Sequence, residues 1–225
     1  MEIHEVLAGP PPQGDVGEGL LLRTNRGDIR AILHQAPESQ RAVIWVCGAR
    51  GGFGGPGQGM YGRLAETFQT RGITSLRLDY RDPNVFPECV LDLLAGIAFC
   101  KATGYDPVVL VGHSFGGAVV VAAGAASSHV WGVVALSPQT YGAHGAGLLS
   151  PRPLLVVHGK ADTRLPYSCA MQIYQWAREP KELVLYDGAE HRLDECRVEL
   201  EKLLGEWIPR TLAEKSPQPP FAKGD

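Results

Sequence analysis

Apolar residues follow two different spacings along the chain, and the two spacings alternate over most of its length. Short unbroken apolar runs predict strands covered on both faces, and apolar residues three or four positions apart predict helices. The predicted strands cover 19–24, 29–35, 42–47, 73–80, 108–111, 130–136, 154–157 and 182–186. The predicted helices cover 60–71, 85–103, 118–126, 167–178 and 193–208. This alternation favours an α/β fold, a mostly parallel sheet flanked by helices with right-handed connections.

The ends of the chain differ from this alternating region. The turn sequence at 25–28 predicts an antiparallel hairpin between the first two strands. Residues 1–18 are expected to form an N-terminal extension and 19–208 a single domain, because 225 residues with 44% hydrophobic content can bury one substantial core. From Pro209 onward the chain is polar and rich in proline, so 209–225 is predicted to be a flexible tail.

Composition narrows the partners that the protein can have. The formal net charge is −3 and the basic residues are scattered, so nucleic acid is not an expected partner. No apolar run is long enough for a membrane span, and the N-terminus does not resemble a secretory signal. Five cysteines without C-x-x-C spacing argue against a disulfide framework or a zinc site. We therefore expect a cytoplasmic protein, either a monomer or a small homo-oligomer.

The most informative segment is 107–121, where a buried apolar strand runs through the motif G-x-S-x-G directly into a small-residue helix. Such a turn places Ser114 in strained backbone torsions with its hydroxyl above the sheet, and a Cβ at Gly112 or Gly116 would clash with the neighbouring strand or helix. The backbone N–H of Phe115 then faces the same space at the positive end of a helix dipole. This arrangement indicates a nucleophile beside half of an oxyanion hole.

A serine nucleophile needs a histidine base and a carboxylate that orients it. The predicted strand 154–157 leads into a loop that contains Asp162, and strand 182–186 leads into a loop that contains His191. In a parallel sheet both loops lie at the same edge as Ser114. These three residues are therefore the candidate nucleophile, acid and base.

In this order of serine, acid and histidine, the chain resembles the α/β-hydrolase superfamily over roughly residues 19–208. Its compact body is similar to the dienelactone-hydrolase-like and small esterase branches. The resemblance implies that Ser114 is the nucleophile, that His191 is the general base and then acid, and that Asp162 orients it. Only 137–152 separates two predicted strands where many relatives insert a cap, so no cap domain is expected. Dienelactone hydrolases proper have cysteine at the elbow, so lactone specificity is not implied.

Other residues at the same edge compete for these roles. His113 precedes the nucleophile and is expected to point away from it into the packing around the elbow. His158 ends a strand beside Asp162 and is expected to brace the loop. Glu190 and Asp187 neighbour His191 on one short loop and are poorly placed to reach the far side of its ring.

The second oxyanion donor is expected from the loop after the strand 42–47. The backbone N–H of Ala49 is the first choice and that of Arg50 the second, while Cys47 replaces the histidine of the family's usual motif. The glycine-rich loop lacks the G-K-[ST] of a phosphate loop. The residues expected to border the pocket are Arg50, Phe53, Met60 and Tyr61 on one side and Tyr141 and His144 on the other.

These features predict a serine hydrolase that cleaves small or short-chain carboxylic esters through an acyl-enzyme intermediate. The expected substrate is a small-molecule ester, and the mechanism requires no metal and no organic cofactor. Two alternatives remain open. One is a thioesterase or peptidase that uses the same three residues, and the other is a non-catalytic ligand-binding protein of the same fold.

Overall fold

A single nine-stranded sheet organises residues 1–213, the part of the chain described by the computed structural model. The strands are β1 (Ile3–Gly9), β2 (Glu18–Thr24), β3 (Gly27–His34), β4 (Ala42–Val46), β5 (Thr74–Leu78), β6 (Val108–His113), β7 (Val130–Leu136), β8 (Leu154–Gly159) and β9 (Lys181–Tyr186). Their order is β1-β2-β3-β5-β4-β6-β7-β8-β9. The pairs β1–β2, β2–β3 and β3–β5 are antiparallel, and the pair β2–β3 is the expected hairpin. All other neighbouring pairs of this sheet are parallel.

Helices cover both faces of the sheet, as the alternation of strands and helices predicts. They are α1 (Pro56–Thr70), α2 (Phe86–Ala102), α3 (Phe115–Ala126), α4 (Ser168–Trp176) and α5 (Arg197–Ala213). In α1 the regular torsions begin at Met60, because Gly57, Gln58 and Gly59 have positive φ angles. Apolar residues of α2, α3 and α4 form a core on one face, and those of α1 and α5 form a second core on the other. The mostly parallel, helix-flanked sheet predicted from the sequence is confirmed.

The N-terminal extension predicted over residues 1–18 contains a strand of the sheet. Residues Ile3–Gly9 form the edge strand β1, which pairs with β2 through backbone hydrogen bonds. Most of its side chains are exposed on both faces. An edge strand of this kind has no buried face, so it lacks the apolar run or alternation from which strands are recognised.

The predicted start of a C-terminal tail at Pro209 is wrong, because α5 continues to Ala213 and buries Thr211 and Leu212. A proline inside a helix cannot donate to the carbonyl four residues earlier, here that of Gly205. The guanidinium of Arg71 donates to that carbonyl instead, at 2.7 Å. The remainder of the predicted tail, 214–225, lies outside the described residues.

No cap domain covers the sheet within residues 1–213. The segment between β7 and β8 contains only a short 3-10 helix, His144–Leu148. Arg152 closes this segment against the end of α3, where its buried guanidinium donates to five backbone carbonyls, those of Gly124, Ser127, Val130, Leu148 and Leu149. In this range only loops, and no additional domain, therefore cover the carboxyl ends of the parallel strands. None of the helices in this part of the chain combines the length and apolar character needed to cross a bilayer.

Candidate active site

Ser114 lies at a sharp turn between β6 and α3. Its torsions, φ 58° and ψ −120°, fall outside the regions that non-glycine residues favour. A hydrogen bond from its N–H to the carbonyl of Leu136, 2.8 Å long, helps hold this strained residue. A Cβ on Gly112 would overlap the carbonyl oxygen of Gly116, and a Cβ on Gly116 would overlap that of Cys47. The predicted reason for glycine at both positions, close backbone approach, is therefore confirmed.

The structure brings Ser114, His191 and Asp162 into one line of hydrogen bonds. Ser114 Oγ lies 2.9 Å from His191 Nε2, and His191 Nδ1 lies 2.7 Å from Asp162 Oδ2. A carboxylate oxygen only accepts, so Nδ1 of His191 carries the proton and Nε2 is free to accept from the serine hydroxyl. That tautomer is the one a general base beside serine requires.

The Asp162 carboxylate is enclosed by donors. Its side chain is fully buried, and Oδ1 accepts from the backbone N–H groups of Arg164 and Leu165 at 2.8 and 2.9 Å. Burial raises the pKa of this carboxyl, but the hydrogen bonds from Leu165, His191 and Arg164 outweigh it, so the pKa lies below its ordinary value. Asp162 therefore remains an anion that orients His191 at neutral pH.

His158 contacts the same carboxylate oxygen as His191, as the sequence predicts for a residue that braces the loop. Its Nε2 lies 3.0 Å from both Asp162 Oδ2 and the carbonyl oxygen of Leu165. Because the carbonyl can only accept, Nε2 is the protonated nitrogen. Burial lowers the pKa of His158, which keeps the ring neutral. The loop after β8 is thus tied together around Asp162 by a neutral donor.

His113 does not point away into the packing of the elbow as expected. Its ring lies against that of His191, with centroids 4.9 Å apart, and its Nε2 is 2.9 Å from the backbone carbonyl oxygen of His191. Burial lowers the pKa of His113 to about 4. The spacing of residues along the sequence contains no signal for this contact, because it depends on how the loop after β9 folds back over the sheet edge.

The backbone N–H groups proposed for an oxyanion hole are unengaged. Within residues 1–213, no hydrogen bond uses the N–H of Phe115, Ala49 or Arg50. The loop that contains the latter two passes directly over the nucleophile, since a Cβ on Gly48 would lie 3.4 Å from Ser114 Cβ. The N–H groups of Phe115, Ala49 and Arg50 therefore lie in segments next to Ser114 and have no partner in residues 1–213.

This glycine-rich loop is held from below by side chains that follow β5. Tyr80 donates its hydroxyl to the Cys47 carbonyl at 3.2 Å, and Asp79 Oδ1 accepts the N–H of Gly52 at 2.6 Å. The buried Cys47 thiol accepts the N–H of Gly55, and burial raises its pKa to about 12. Cys47 is therefore a neutral, packed side chain and not a nucleophile.

A cleft of about 510 Å³ opens above Ser114 and His191. Arg50 and Phe53 line it, as expected. The expectation that Met60 and Tyr61 form a pocket wall is wrong, because both are fully buried. Their side chains pack in the core beneath the loop.

The two residues expected on the other side of the pocket are also absent from the cleft lining. Tyr141 is exposed and packs edge-on against Phe86, and His144 packs against Trp176.

The competing carboxylates take other partners. Glu190 accepts from the N–H and hydroxyl of Thr163, and Asp187 pairs with Lys160 at the surface. Asp162 is thus the carboxylate hydrogen-bonded to His191 in the described chain. The arrangement of strained serine, correctly protonated imidazole, buried carboxylate and free N–H groups is chemically competent for acyl transfer.

Comparison with known proteins defines the class of fold. No family model matches the sequence. The Escherichia coli (strain K12) protein described as "Uncharacterized protein YfhR" is 46% identical over 43 residues, which make up 19% of this chain and 15% of that protein. The match thus spans only a small part of the curated relative's length.

Solved structures match nearly the whole chain. The dienelactone hydrolase of Anabaena variabilis ATCC 29413 has a TM-score of 0.75 at 16% identity, covering 93% of this chain and 100% of that one. The esterase domain of a Rhodothermus marinus protein gives 0.70 at 20% identity, covering 92% and 99%. XC6422 of Xanthomonas campestris, described as an α/β serine hydrolase without lid, gives 0.66 at 19% identity, covering 92% and 100%. Over residues 1–213 the chain therefore has the α/β-hydrolase fold without a cap, which confirms the fold expected from the sequence.

Proposed function

We propose that this protein is a serine hydrolase that cleaves small, short-chain carboxylic esters through an acyl-enzyme intermediate. The observation that supports this most directly is the unbroken line of hydrogen bonds from Ser114 Oγ through His191 to Asp162. Esterase and dienelactone hydrolase names among the solved structures of the same fold support hydrolysis of esters as the general chemistry.

In the proposed reaction, His191 Nε2 takes the hydroxyl proton as Ser114 Oγ attacks the ester carbonyl carbon. The N–H groups of Phe115 and of Ala49 or Arg50 receive the oxyanion, and the dipole of α3 favours charge at this point. The imidazolium, stabilised by Asp162, then returns its proton to the leaving alcohol. A water molecule then gives a proton to His191 and attacks the acyl carbonyl carbon. The bond from that carbon to Ser114 Oγ breaks, the acid leaves, and His191 returns the proton to Ser114 Oγ. Every step uses groups of this chain.

The preference for short acyl chains follows from the walls of the cleft. Between β7 and β8, where a cap would enclose a long acyl chain, the chain has only a short segment with one 3-10 helix. An open cleft offers little apolar surface to a long chain, so each added methylene gains less than the ~0.8 kcal/mol of full burial. Activity toward p-nitrophenyl esters is therefore expected to decline beyond medium chain lengths. A marked preference for long chains would contradict this part of the proposal.

Covalent labelling by a fluorophosphonate tests the nucleophile directly. Rapid labelling of the wild-type protein at one site, lost in Ser114→Ala, is the expected result. Ser137→Ala is a matched control, because Ser137 is also a positive-φ serine after a parallel strand but has a fully buried side chain. An unreactive wild-type serine would favour a non-catalytic ligand-binding protein. Faster turnover of thioesters or peptides than of matched esters would instead favour a thioesterase or a peptidase.

A further inference from the structure

The candidate cleft has a one-sided charge. Three arginines, Arg50, Arg164 and Arg192, are among the residues that line it, and no aspartate or glutamate of residues 1–213 does. This contrasts with the chain as a whole, whose formal net charge is −3. A cleft lined by one sign of charge concentrates ligands of the opposite sign.

Each of the three arginines reaches the cleft from a different loop and is anchored next to a group of the site. Arg50 and Ala49 are the two central residues of a turn that the hydrogen bond from the Gly51 N–H to the Gly48 carbonyl closes at 3.0 Å. The backbone N–H of Arg164 donates to Asp162 Oδ1 at 2.8 Å. Arg192 follows His191, and its carbonyl accepts the N–H of Gly57 at 2.8 Å. Their backbones are therefore fixed around the cleft while their side chains are exposed.

Two of these guanidinium groups are not neutralised by the protein. Arg192 pairs with Asp194, its Nε 3.3 Å from the carboxylate. In residues 1–213 the side chains of Arg50 and Arg164 form no ion pair and no hydrogen bond. Guanidinium groups match oxyanions in geometry and charge, and here they are free to bind one.

We propose that the ester substrate is anionic and carries a carboxylate or similar oxyanion, which Arg50 and Arg164 receive beside the reacting carbonyl. This inference rests on the proposed function and narrows it, because the short-chain preference alone does not distinguish charged from neutral esters. Arg192 is already paired with Asp194 and is not assigned to the anion. An open cleft with few apolar walls discriminates poorly among neutral esters. Binding of the anionic group by the two arginines supplies that discrimination.

Matched charged and neutral esters test this inference. One pair, 4-acetoxybenzoate and its methyl ester, places the charge on the alcohol side. The other pair, mono-p-nitrophenyl adipate and p-nitrophenyl hexanoate, places it on the acyl side. Each kcat/KM is divided by the rate constant for hydroxide, which removes differences in intrinsic reactivity. For at least one pair, the charged ester is expected to be preferred by about fivefold or more at low salt, the size of an exposed ion-pair effect.

Salt and substitutions then identify the origin of the preference. The preference should shrink as NaCl rises from about 0.02 to about 0.5 M, since salt shortens the range of the field. Arg50→Gln and Arg164→Gln should each lower the ratio of charged to neutral kcat/KM. Arg178→Gln, which removes an exposed arginine far from the cleft, should leave the ratio unchanged. The ratio is the readout because it cancels general damage to the site.

The outcomes separate the two proposals. If the neutral ester of both pairs is hydrolysed at least as well as the charged one, or if the ratio is the same in both arginine variants as in wild type, the anionic substrate is refuted while the ester hydrolase stands. If no ester reacts and the fluorophosphonate does not label Ser114, the hydrolase proposal fails and the inference falls with it.

Discussion

His113 Nε2 lies 2.9 Å from the backbone carbonyl oxygen of His191, so the residue before the candidate nucleophile holds the backbone of the candidate base. Since a carbonyl only accepts, Nε2 of His113 is the donor. Burial keeps the pKa of His113 near 4, so this donor is a neutral imidazole at physiological pH. The His113 side chain thus joins the end of β6 to the loop after β9, which contains His191. The length of the Ser114–His191 hydrogen bond depends on the position of that loop.

Removing this donor is expected to slow the chemical step. His113→Leu should lower kcat for p-nitrophenyl acetate by about 10- to 100-fold with a smaller change in KM, because a base displaced by a fraction of an ångström transfers protons poorly. His113→Gln retains a side-chain amide that can donate to the same carbonyl and should recover part of the loss. Steady-state kinetics of both variants measure the effect.

The melting temperature of each His113 variant separates positioning from folding. A role in positioning predicts that His113→Gln and His113→Leu differ in kcat more than they differ in stability. Equal kcat values in the two variants, or a loss that follows the folded fraction alone, would count against the tether.

Asp79 is expected to affect activity through the glycine-rich loop that contains Ala49 and Arg50. Its buried carboxylate accepts the N–H of Gly52 and pairs with Arg30, and it lies directly against Gly51. Asp79→Ala should release this loop and lower the fluorophosphonate labelling rate of Ser114 by about tenfold or more, a smaller effect than the ~100- to 1,000-fold cost of removing one oxyanion donor outright.

Two further variants make the Asp79 test specific. Asp79→Asn, which keeps an acceptor for the N–H of Gly52, should label faster than Asp79→Ala. Asp187→Ala removes an exposed carboxylate and should label like wild type. If Asp79→Ala labels as fast as wild type, the loop is held without this side chain.

The inner strands of the sheet could be predicted because burial on both faces leaves an unbroken apolar run, as in Val108–His113 and Val130–Leu136. The edge strand Ile3–Gly9 could not, since backbone hydrogen bonds to one neighbour hold it and leave no trace in the side-chain pattern. The end of α5 was misplaced for a related reason. Pro209 normally ends a helix, and the compensating donor, Arg71, lies far away in the sequence.

The three residues of the candidate site could be predicted because parallel strands bring their following loops to one edge. Of the residues that position them, His158 could be predicted from its place beside Asp162, and His113 could not. His113 acts through the backbone carbonyl of His191 on another loop, and a backbone acceptor has no sequence identity to detect. The charge of the cleft could not be predicted for a different reason, because its three arginines are dispersed along the chain and converge only in the fold.

Arg152 is expected to be a large contributor to stability. Its buried guanidinium donates to five backbone carbonyls at the end of α3 and in the segment before β8, and no carboxylate pairs with it in the described chain. Arg152→Met would leave several buried carbonyls without donors, so the free energy of unfolding should fall by about 3 kcal/mol or more. Urea denaturation measures the change. Arg178→Met, at an exposed position, should change it by less than about 0.5 kcal/mol, and similar values for both variants would contradict this role.

A buried histidine away from the cleft makes stability depend on pH. His34 Nε2 accepts a hydrogen bond from Arg77 Nε at 3.2 Å, and Asp15 pairs with the same arginine. Burial first, and then the charge of Arg77, lower the pKa of His34 to about 4, while Asp15 raises it by less. Well above pH 6.5 the ring is neutral in both the folded and the unfolded chain, so His34 does not change the free energy of unfolding there. Between pH 6.5 and 4 the unfolded chain binds a proton that the folded chain does not, so the free energy of unfolding falls as the pH falls.

Replacing His34 by glutamine, whose side-chain oxygen can still accept from Arg77, should therefore flatten this dependence. The loss of unfolding free energy between pH 7 and pH 4.5 should be smaller in His34→Gln than in wild type by about 2 kcal/mol, the linkage for one histidine with these two pKa values. His4→Gln, at an exposed histidine of β1, should lose as much as wild type over the same interval. Urea titrations at a series of pH values give the slopes, and parallel slopes for wild type and His34→Gln would show that His34 is protonated in the folded chain as readily as in the unfolded one.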